Sequence, residues 1–190
     1  MTSQTPSGLA NHFLISTPKL QDDTFNQSII YICEHNKNGS MGLKINHSLP
    51  LKIEDMFSQL KINCDNNDVL NTLLLDGGPV NIQQGFIVHN NKQQEWESCL
   101  KVTDNVFITT SKDILFAIAE ERLEGEYVVV LGYSGWSPGQ LEDELKDNAW
   151  LTLPASSDVI FNMEKTHIWQ HCVDQLGFDL NQLSNTSGNA

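Results

Sequence analysis

The sequence predicts one compact domain of mixed α and β structure, and three observations carry this. The chain has 190 residues, the upper end of a single domain and too few for two full-sized ones. Apolar residues make up 39% and charged residues 18%, the balance of a globular protein rather than a disordered one. Short β-branched or aromatic runs also alternate with stretches whose apolar residues recur every three to four positions, so strand and helix periods both occur.

In chain order, residues 1–8 carry no pattern and read as a flexible N-terminus. Phe13-Leu14-Ile15 is a short strand stopped at Thr17-Pro18, because proline lacks the ladder donor. The run 28–33 is a second strand, and Asn36-Lys37-Asn38-Gly39 turns it into a third over 41–46, a β-hairpin. Ile53, Met56, Phe57 and Leu60 fall on one helical face. A polar loop over 63–68 precedes a strand-like run at 69–75, which breaks at Asp76-Gly77-Gly78-Pro79. Phe86-Ile87-Val88 restarts a strand that ends at His89. Weak alternation over 99–102 and 106–109 suggests further strands.

Thr110 and Ser111 offer an N-cap to a helix carrying Ile114, Leu115, Ile118 and Ala119 up to Leu123, with Gly125 as its stop. The run 126–131 is the clearest buried strand. It leads into a glycine-rich turn over 132–140, where Ser137, Pro138 and Gln140 have the spacing of a capping box. Leu141, Leu145 and Ala149 share the next helical face, 150–154 is extended, and 166–176 is a last helix closed by Gly177. The polar segment 183–190 reads as a flexible tail.

Charge and composition exclude several classes. Eleven Lys and Arg against 24 Asp and Glu give a net charge of −13, which disfavours contact with nucleic acid, whose binding rests on phosphate neutralisation. No apolar run approaches the roughly 18 residues of a spanning helix, and the N-terminus lacks the basic and apolar regions of a secretory leader. Cys33, Cys64, Cys99 and Cys172 are scattered with no C-x-x-C, which reads as reduced thiols in a cytoplasmic protein.

The candidate chemistry is thin. A strand, a glycine-rich turn and a capped helix at 132–140 suit an anion, but the glycines match no phosphate motif, and the nearby acids satisfy the helix dipole themselves. Gly132-Tyr133-Ser134-Gly135-Trp136 falls one residue short of a nucleophile elbow, which would also need a downstream acid and then a histidine. His167 and His171 are four apart, but no third metal ligand is signalled and a solvated face explains them. Cys33 and His35 lie two apart on a strand, either a thiolate–imidazolium pair or a core thiol beside an exposed histidine. No cofactor or metal is indicated.

Taken together, Cys33-Glu34-His35-Asn36, Met41-Gly42, Asn46, Gly77-Gly78-Pro79-Val80 and Gly85-Phe86-Ile87-Val88-His89 resemble the YqgE/AlgH family of bacterial proteins. So do residues 131–144 and Asn148-Ala149-Trp150, and the likeness spans nearly the whole chain, a domain over 9–182. The resemblance implies an α+β fold in one piece, with a mixed, partly barrel-like sheet flanked by helices, in the bacterial cytosol. It implies no established reaction. The family's description in terms of transcriptional regulation fits poorly with a charge of −13 and no recognisable DNA-reading helix. This chain departs from the usual pattern with Ser134 in place of Ala and His47-Ser48 in place of Lys-Pro.

The sequence-based expectation is a regulatory or adaptor protein that binds a small ligand or a protein partner. Its candidate contact residues are Gly77, Gly78, Pro79, His89, Trp136, Gln140, Glu142 and Trp150, turn and aromatic residues at element ends. The competing expectation is an enzyme acting on a phosphorylated or carboxylated metabolite at the 132–140 turn, with His89 or Glu142 transferring the proton.

Overall fold

The computed structural model describes residues 8–20, 22–92, 95–177 and 180. Apart from Gly8, the segments read as flexible ends, 1–8 and 183–190, lie outside the described residues. The strands are β1 (His12–Ser16), β2 (Ile29–Asn36), β3 (Gly39–Lys44), β4 (Ser48–Lys52), β5 (Leu73–Asp76), β6 (Val80–His89), β7 (Cys99–Lys101), β8 (Phe107–Thr109), β9 (Tyr127–Trp136) and β10 (Trp150–Pro154). The helices are α1 (Ile53–Leu60), α2 (Asn67–Leu70), α3 (Asp113–Ala119), α4 (Gln140–Lys146), α5 (Ser157–Phe161) and α6 (Lys165–Leu176).

The strands form one curled sheet in the order β10-β1-β2-β3-β9-β6-β8-β7, with β5 and β4 attached beside β9. Every pairing is antiparallel except β5 with β9, so the sheet is mixed and the fold is α+β. β9 holds the two halves together. Its last residues, Ser134 to Trp136, pair with β3, while its first residues pair with β6 and β5.

Both faces of the sheet are buried along β1, most of β2, the end of β6 and the first half of β9, which explains why these strands read as continuous apolar runs rather than alternating ones. Phe13, Ile15, Ile29, Tyr31, Val88 and Val130 point into one core shared by both halves and closed by Ile160 of α5 and by Ile168 and Cys172 of α6. Their chain neighbours point the other way, as the two-residue period requires. Ile87 and Val129 pack under α1 and α3, and Leu14, Ile30 and Ile32 pack under α4 with Trp136 and Trp150.

Several elements depart from the sequence reading. The run 69–75 splits, because the Asn66 side chain accepts hydrogen bonds from the Asp68 and Val69 N–H groups and caps the short α2 before β5 begins. α3 starts after Lys112 rather than at a Thr110 or Ser111 cap, since the Ser111 hydroxyl donates to the Asp113 carboxylate instead. It ends at Ala119, well before Gly125. Glu121 takes the left-handed conformation and the Arg122 N–H reaches back to the Ala117 carbonyl. β4 and α5 lie in segments whose patterns are too short to signal an element.

The largest departure lies at residues 132–140. β9 does not stop at Leu131 but continues to Trp136, leaving only Ser137 to Gly139 as a turn. Gly132 permits this at φ +72°, because the Asp76-Gly77-Gly78 segment crosses directly over it. A Cβ on Gly77 would collide with the Gly132 carbonyl oxygen, and one on Gly132 would meet the Gly78 carbonyl. The crossing is held by Gly77 N–H donating to the Leu131 carbonyl at 2.8 Å and by Lys44 N–H donating to the Gly77 carbonyl at 3.0 Å.

Beneath the crossing, the Lys44 side chain is only 1% exposed and its Nζ lies 2.7 Å from Asp76 Oδ2. Lys44 Nζ also donates to the Thr24 carbonyl at 2.9 Å. Removing the carboxylate strands an ammonium in the interior, and loss of one partner of a buried pair costs about 3 kcal/mol or more. Asp76→Ala is therefore expected to lower the unfolding free energy by about 3 kcal/mol in urea titration. Asp76→Ala combined with Lys44→Met should recover most of that loss. A single-variant loss under about 1 kcal/mol would show that the pair does not hold the crossing.

Candidate functional site

Downstream of the crossing, β9, the turn after it and α4 enclose a small pocket of about 210 Å³ with the loop that follows β1. Its walls are Leu20, Phe25, Pro79, Val80, Trp136 and Trp150, and its polar lining includes Asp22, Gln140 and Glu144. A larger cleft of about 540 Å³ adjoins it and shares Val80, Gly135 and Trp136. The hairpin residues Glu34, Asn36, Asn38 and Ser40 form its far side, and Tyr133, Ser137 and Pro138 its near side.

Glu144 organises the small pocket. The indole N–H groups of Trp136 and Trp150 both donate to Glu144 Oε2, at 2.9 and 2.8 Å. Gln140 Nε2 donates to Oε1 at 2.9 Å. The two indoles meet edge to face with ring centroids 6.1 Å apart, and Phe25 packs edge-on against Trp150. Spacing explains the arrangement, because Gln140 and Glu144 are one helical turn apart on α4 while the tryptophans end β9 and begin β10.

Of the eight residues singled out from the sequence, Pro79, Trp136, Gln140 and Trp150 meet in the small pocket. Gly77 and Gly78 lie buried beneath it in the crossing. Ser137 does not cap α4 with its side chain. Gly139 takes the cap position at φ +81°, and Gln140 Oε1 accepts from the Ser137 N–H at 3.0 Å, half of the expected capping box.

His89 and Glu142 lie elsewhere. His89 is fully buried at the other end of β6, stacked on Phe107 with centroids 5.7 Å apart, and its Nε2 is 2.9 Å from Thr109 Oγ1. Burial lowers its pKa from 6.5 to about 4, so it is neutral near pH 7 and remote from the pocket. Glu142 faces His35 instead, with Oε1 3.7 Å from Nε2. The acids that line the pocket are Glu144 and Asp22, and the signal for Glu144 was the i, i+4 spacing from Gln140. Asp22 and Phe25 arrive from more than a hundred residues away in sequence and carried no signal.

The remaining chemical candidates have structural partners. The Ser134 hydroxyl is buried and donates to the Gly77 carbonyl at 3.2 Å. Cys33 is buried, with its thiol pKa pushed up by burial and its Sγ donating to the Tyr31 carbonyl. All four cysteines are free thiols. His167 is paired at 3.7 Å with Glu164, and His171 with Gln175 at 2.8 Å. Among the described residues no three His, Cys, Asp or Glu side chains gather to hold a metal ion. One chain of groups has the order of a catalytic relay: Glu142, then His35, then Ser40, whose Oγ is 2.7 Å from His35 Nδ1. Ser40 lies mid-sheet, however, paired with His35 on one side and Trp136 on the other, without the sharp turn that presents a nucleophile.

Two outcomes follow from this geometry. Glu144→Ala leaves two buried indole N–H groups without an acceptor and should lower stability by about 3 kcal/mol. Glu142→Ala should cost under about 1 kcal/mol, because its pairing with His35 is long and partly exposed. Urea unfolding of the two variants, read by tryptophan fluorescence, separates the acids. For His89, the unfolded chain takes up a proton below pH 6.5 that the native state refuses until about pH 4. Stability should therefore fall by about 1.4 kcal/mol per pH unit across that window and level off below it. In His89→Gln the fall between pH 6.5 and 5 should become shallower, leaving the part due to His47, whose pKa burial also lowers, and an unchanged slope would assign the fall to other groups.

Comparison with known proteins agrees with this architecture. The AlgH-like family model matches residues 13–181. A UPF0301 protein of Vibrio vulnificus is 43% identical over 186 residues, covering 96% of this chain and 99% of its own length. One of Shewanella woodyi is 39% identical over 186 residues, covering 97% of this chain and all of its own. The solution structure of the AlgH protein from Pseudomonas aeruginosa superposes with a TM-score of 0.80 at 36% identity, over the full length of both chains. A Corynebacterium diphtheriae protein shares the fold, with a TM-score of 0.71 at 20% identity over 94% of this chain and 92% of its own. The chain belongs to the AlgH-like family, and the crossing, the β9 strand and the Glu144 pocket are how this member builds that fold.

Proposed function

We propose that this protein is a regulatory or adaptor protein of the bacterial cytosol that acts by contact at the paired pocket and cleft, without turnover. The observation that carries this reading is Glu144. Its carboxylate accepts hydrogen bonds from Trp136, Trp150 and Gln140, which supports a role in holding the pocket walls in place rather than in proton transfer, with acceptor capacity left over. Four free thiols fit a reducing compartment. Among the described residues no helix is long and apolar enough to cross a membrane.

A phosphorylated or carboxylated substrate is disfavoured here. The charged side chains lining the pocket and cleft are Asp22, Glu34 and Glu144, and no Lys or Arg is among the lining residues; Lys44, 5.8 Å from the Phe25 ring centroid, is already paired with Asp76. Like charge raises the energy of an anion at this surface, and the seven-residue α4 carries acids of its own in its first turn. The Glu142–His35–Ser40 chain is the one observation on the side of catalysis. It would require Ser40 to react with an acyl or phosphonyl probe.

A thermal-shift panel of amines, amino acids, nucleotides and organic acids tests the reading. A ligand at about 100 times its Kd should add roughly 2.7 kcal/mol. The expected result is stabilisation with no consumption of the ligand, lost in Gln140→Ala and in Ser137→Arg. Both residues are exposed, so these changes leave the core intact. Trp136→Ala is a poor control, because removing a buried tryptophan costs about 3–5 kcal/mol by itself. Conversion of any ligand to product, or fluorophosphonate labelling of Ser40 that His35→Ala abolishes, would replace the contact reading with an enzymatic one.

A further inference from the structure

We infer that the small pocket receives a lysine or arginine side chain from a basic segment of a partner protein, an inference that rests on the contact reading above. The first argument is charge. Glu144 accepts three hydrogen bonds, but all three donors are neutral, so its partly buried carboxylate has no cationic partner among the described residues. Lys146, on the same helix, pairs with Asp143 instead. An ammonium or guanidinium entering the pocket supplies the missing counter-charge, in surroundings where a charge-assisted hydrogen bond is stronger than at an open surface.

The second argument is shape. At about 210 Å³ the pocket is smaller than the 300–1,000 Å³ typical of cofactor and drug-sized ligands, and of the size that one side chain fills. Leu20, Phe25, Pro79 and Val80 give it apolar walls suited to the methylene stem of a lysine or arginine, and Asp22 and Glu144 in the same lining suit the charged head. The adjoining cleft of about 540 Å³ then carries the flanking residues of the segment, with Glu34 on its rim. The third argument is the long-range field, since a net charge of −13 attracts a basic segment and repels an acidic one.

The test is a titration of the isotope-labelled full chain, followed by amide and indole N–H signals. The probes are capped nonapeptides of serine, glycine and tyrosine with a single central Arg, Lys, Glu or norleucine, plus N-acetyl-arginine amide alone. The expected result is saturable shifts of the Trp136 and Trp150 indole signals and the Gly135 amide with the Arg and Lys peptides. The Glu and norleucine peptides should bind at least tenfold more weakly, and the Arg peptide should weaken as salt rises from 50 to 300 mM. Asp22→Asn and Glu34→Gln should each weaken the Arg peptide by about fivefold, the upper end for an exposed ion pair, while changing the spectrum of the free protein only at the neighbours of each substitution, such as the Thr24 amide that Asp22 caps. Equal binding of the norleucine peptide at the same signals would overturn the cationic choice while keeping the pocket. N-acetyl-arginine amide binding as tightly as the nonapeptide would overturn the protein-segment choice. If no probe moved these signals while a ligand of another class bound elsewhere, this inference and the contact reading would fall together.

Discussion

A lysine ammonium almost wholly removed from water, on the third strand of the sheet, sets the terms for the rest of this structure. Lys44 Nζ is answered by Asp76 at the end of β5 and by the Thr24 carbonyl in the loop before β2. An unpaired charge there would be several kcal/mol uphill, so β3, β5 and the 22–28 loop must come together for any of them to be stable. Asn46 adds to the same constraint, accepting from the Ile29 N–H and donating to the Gln27 carbonyl, both at 2.8 Å. With Asp76 fixed, Gly77 and Gly78 pass over Gly132, where only glycines leave room for two backbones to approach.

That crossing determines where β9 goes. A strand ending at Leu131 would leave β3 without its second partner and Trp136 far from Trp150. Because the strand continues past Gly132, Trp136 reaches the foot of α4 and pairs through Glu144 with the indole that opens β10. The pocket is thus a consequence of the interior ion pair at one remove. Lys44 positions the crossing, the crossing lets β9 continue, and β9 delivers one wall. Phe25 links the two regions directly, since the Lys44 ammonium lies 5.8 Å from its ring centroid while its edge packs on Trp150.

Elements defined by local pattern were legible in the sequence: the β2–β3 hairpin from its Asn-Gly signal, α1 and α6 from their apolar stripes, β10 from its extended run. Elements defined by distant contacts were not. Residues 132–136 carry three features of a turn, yet their partners in β3 lie about ninety residues earlier, and pairing overrides the local glycine signal. Lys44 reads as an ordinary surface lysine between Leu43 and Ile45, and nothing in its neighbourhood announces Asp76. The site was half legible for the same reason. Pro79, Trp136, Gln140 and Trp150 stand out as turn and aromatic residues, whereas Asp22 and Phe25 are unremarkable in sequence and matter only through where the 22–28 loop lands. His89 stood out and proved to be a core residue, since an imidazole at a strand end looks alike whether it faces solvent or a phenylalanine ring.

The contrast between the two partly buried acids bears on the pocket. Asp76 meets a full positive charge, and the result is a closed structural joint. Glu144 meets only neutral donors, although the chain has lysines to place and α4 itself ends in one. Three neutral N–H groups fix the carboxylate in position and leave its charge unbalanced, which a purely structural joint does not need. The arrangement keeps one negative charge fixed and partly buried without a cationic partner among the described residues, and that separation of holding from neutralising is the feature on which the proposed cation contact rests.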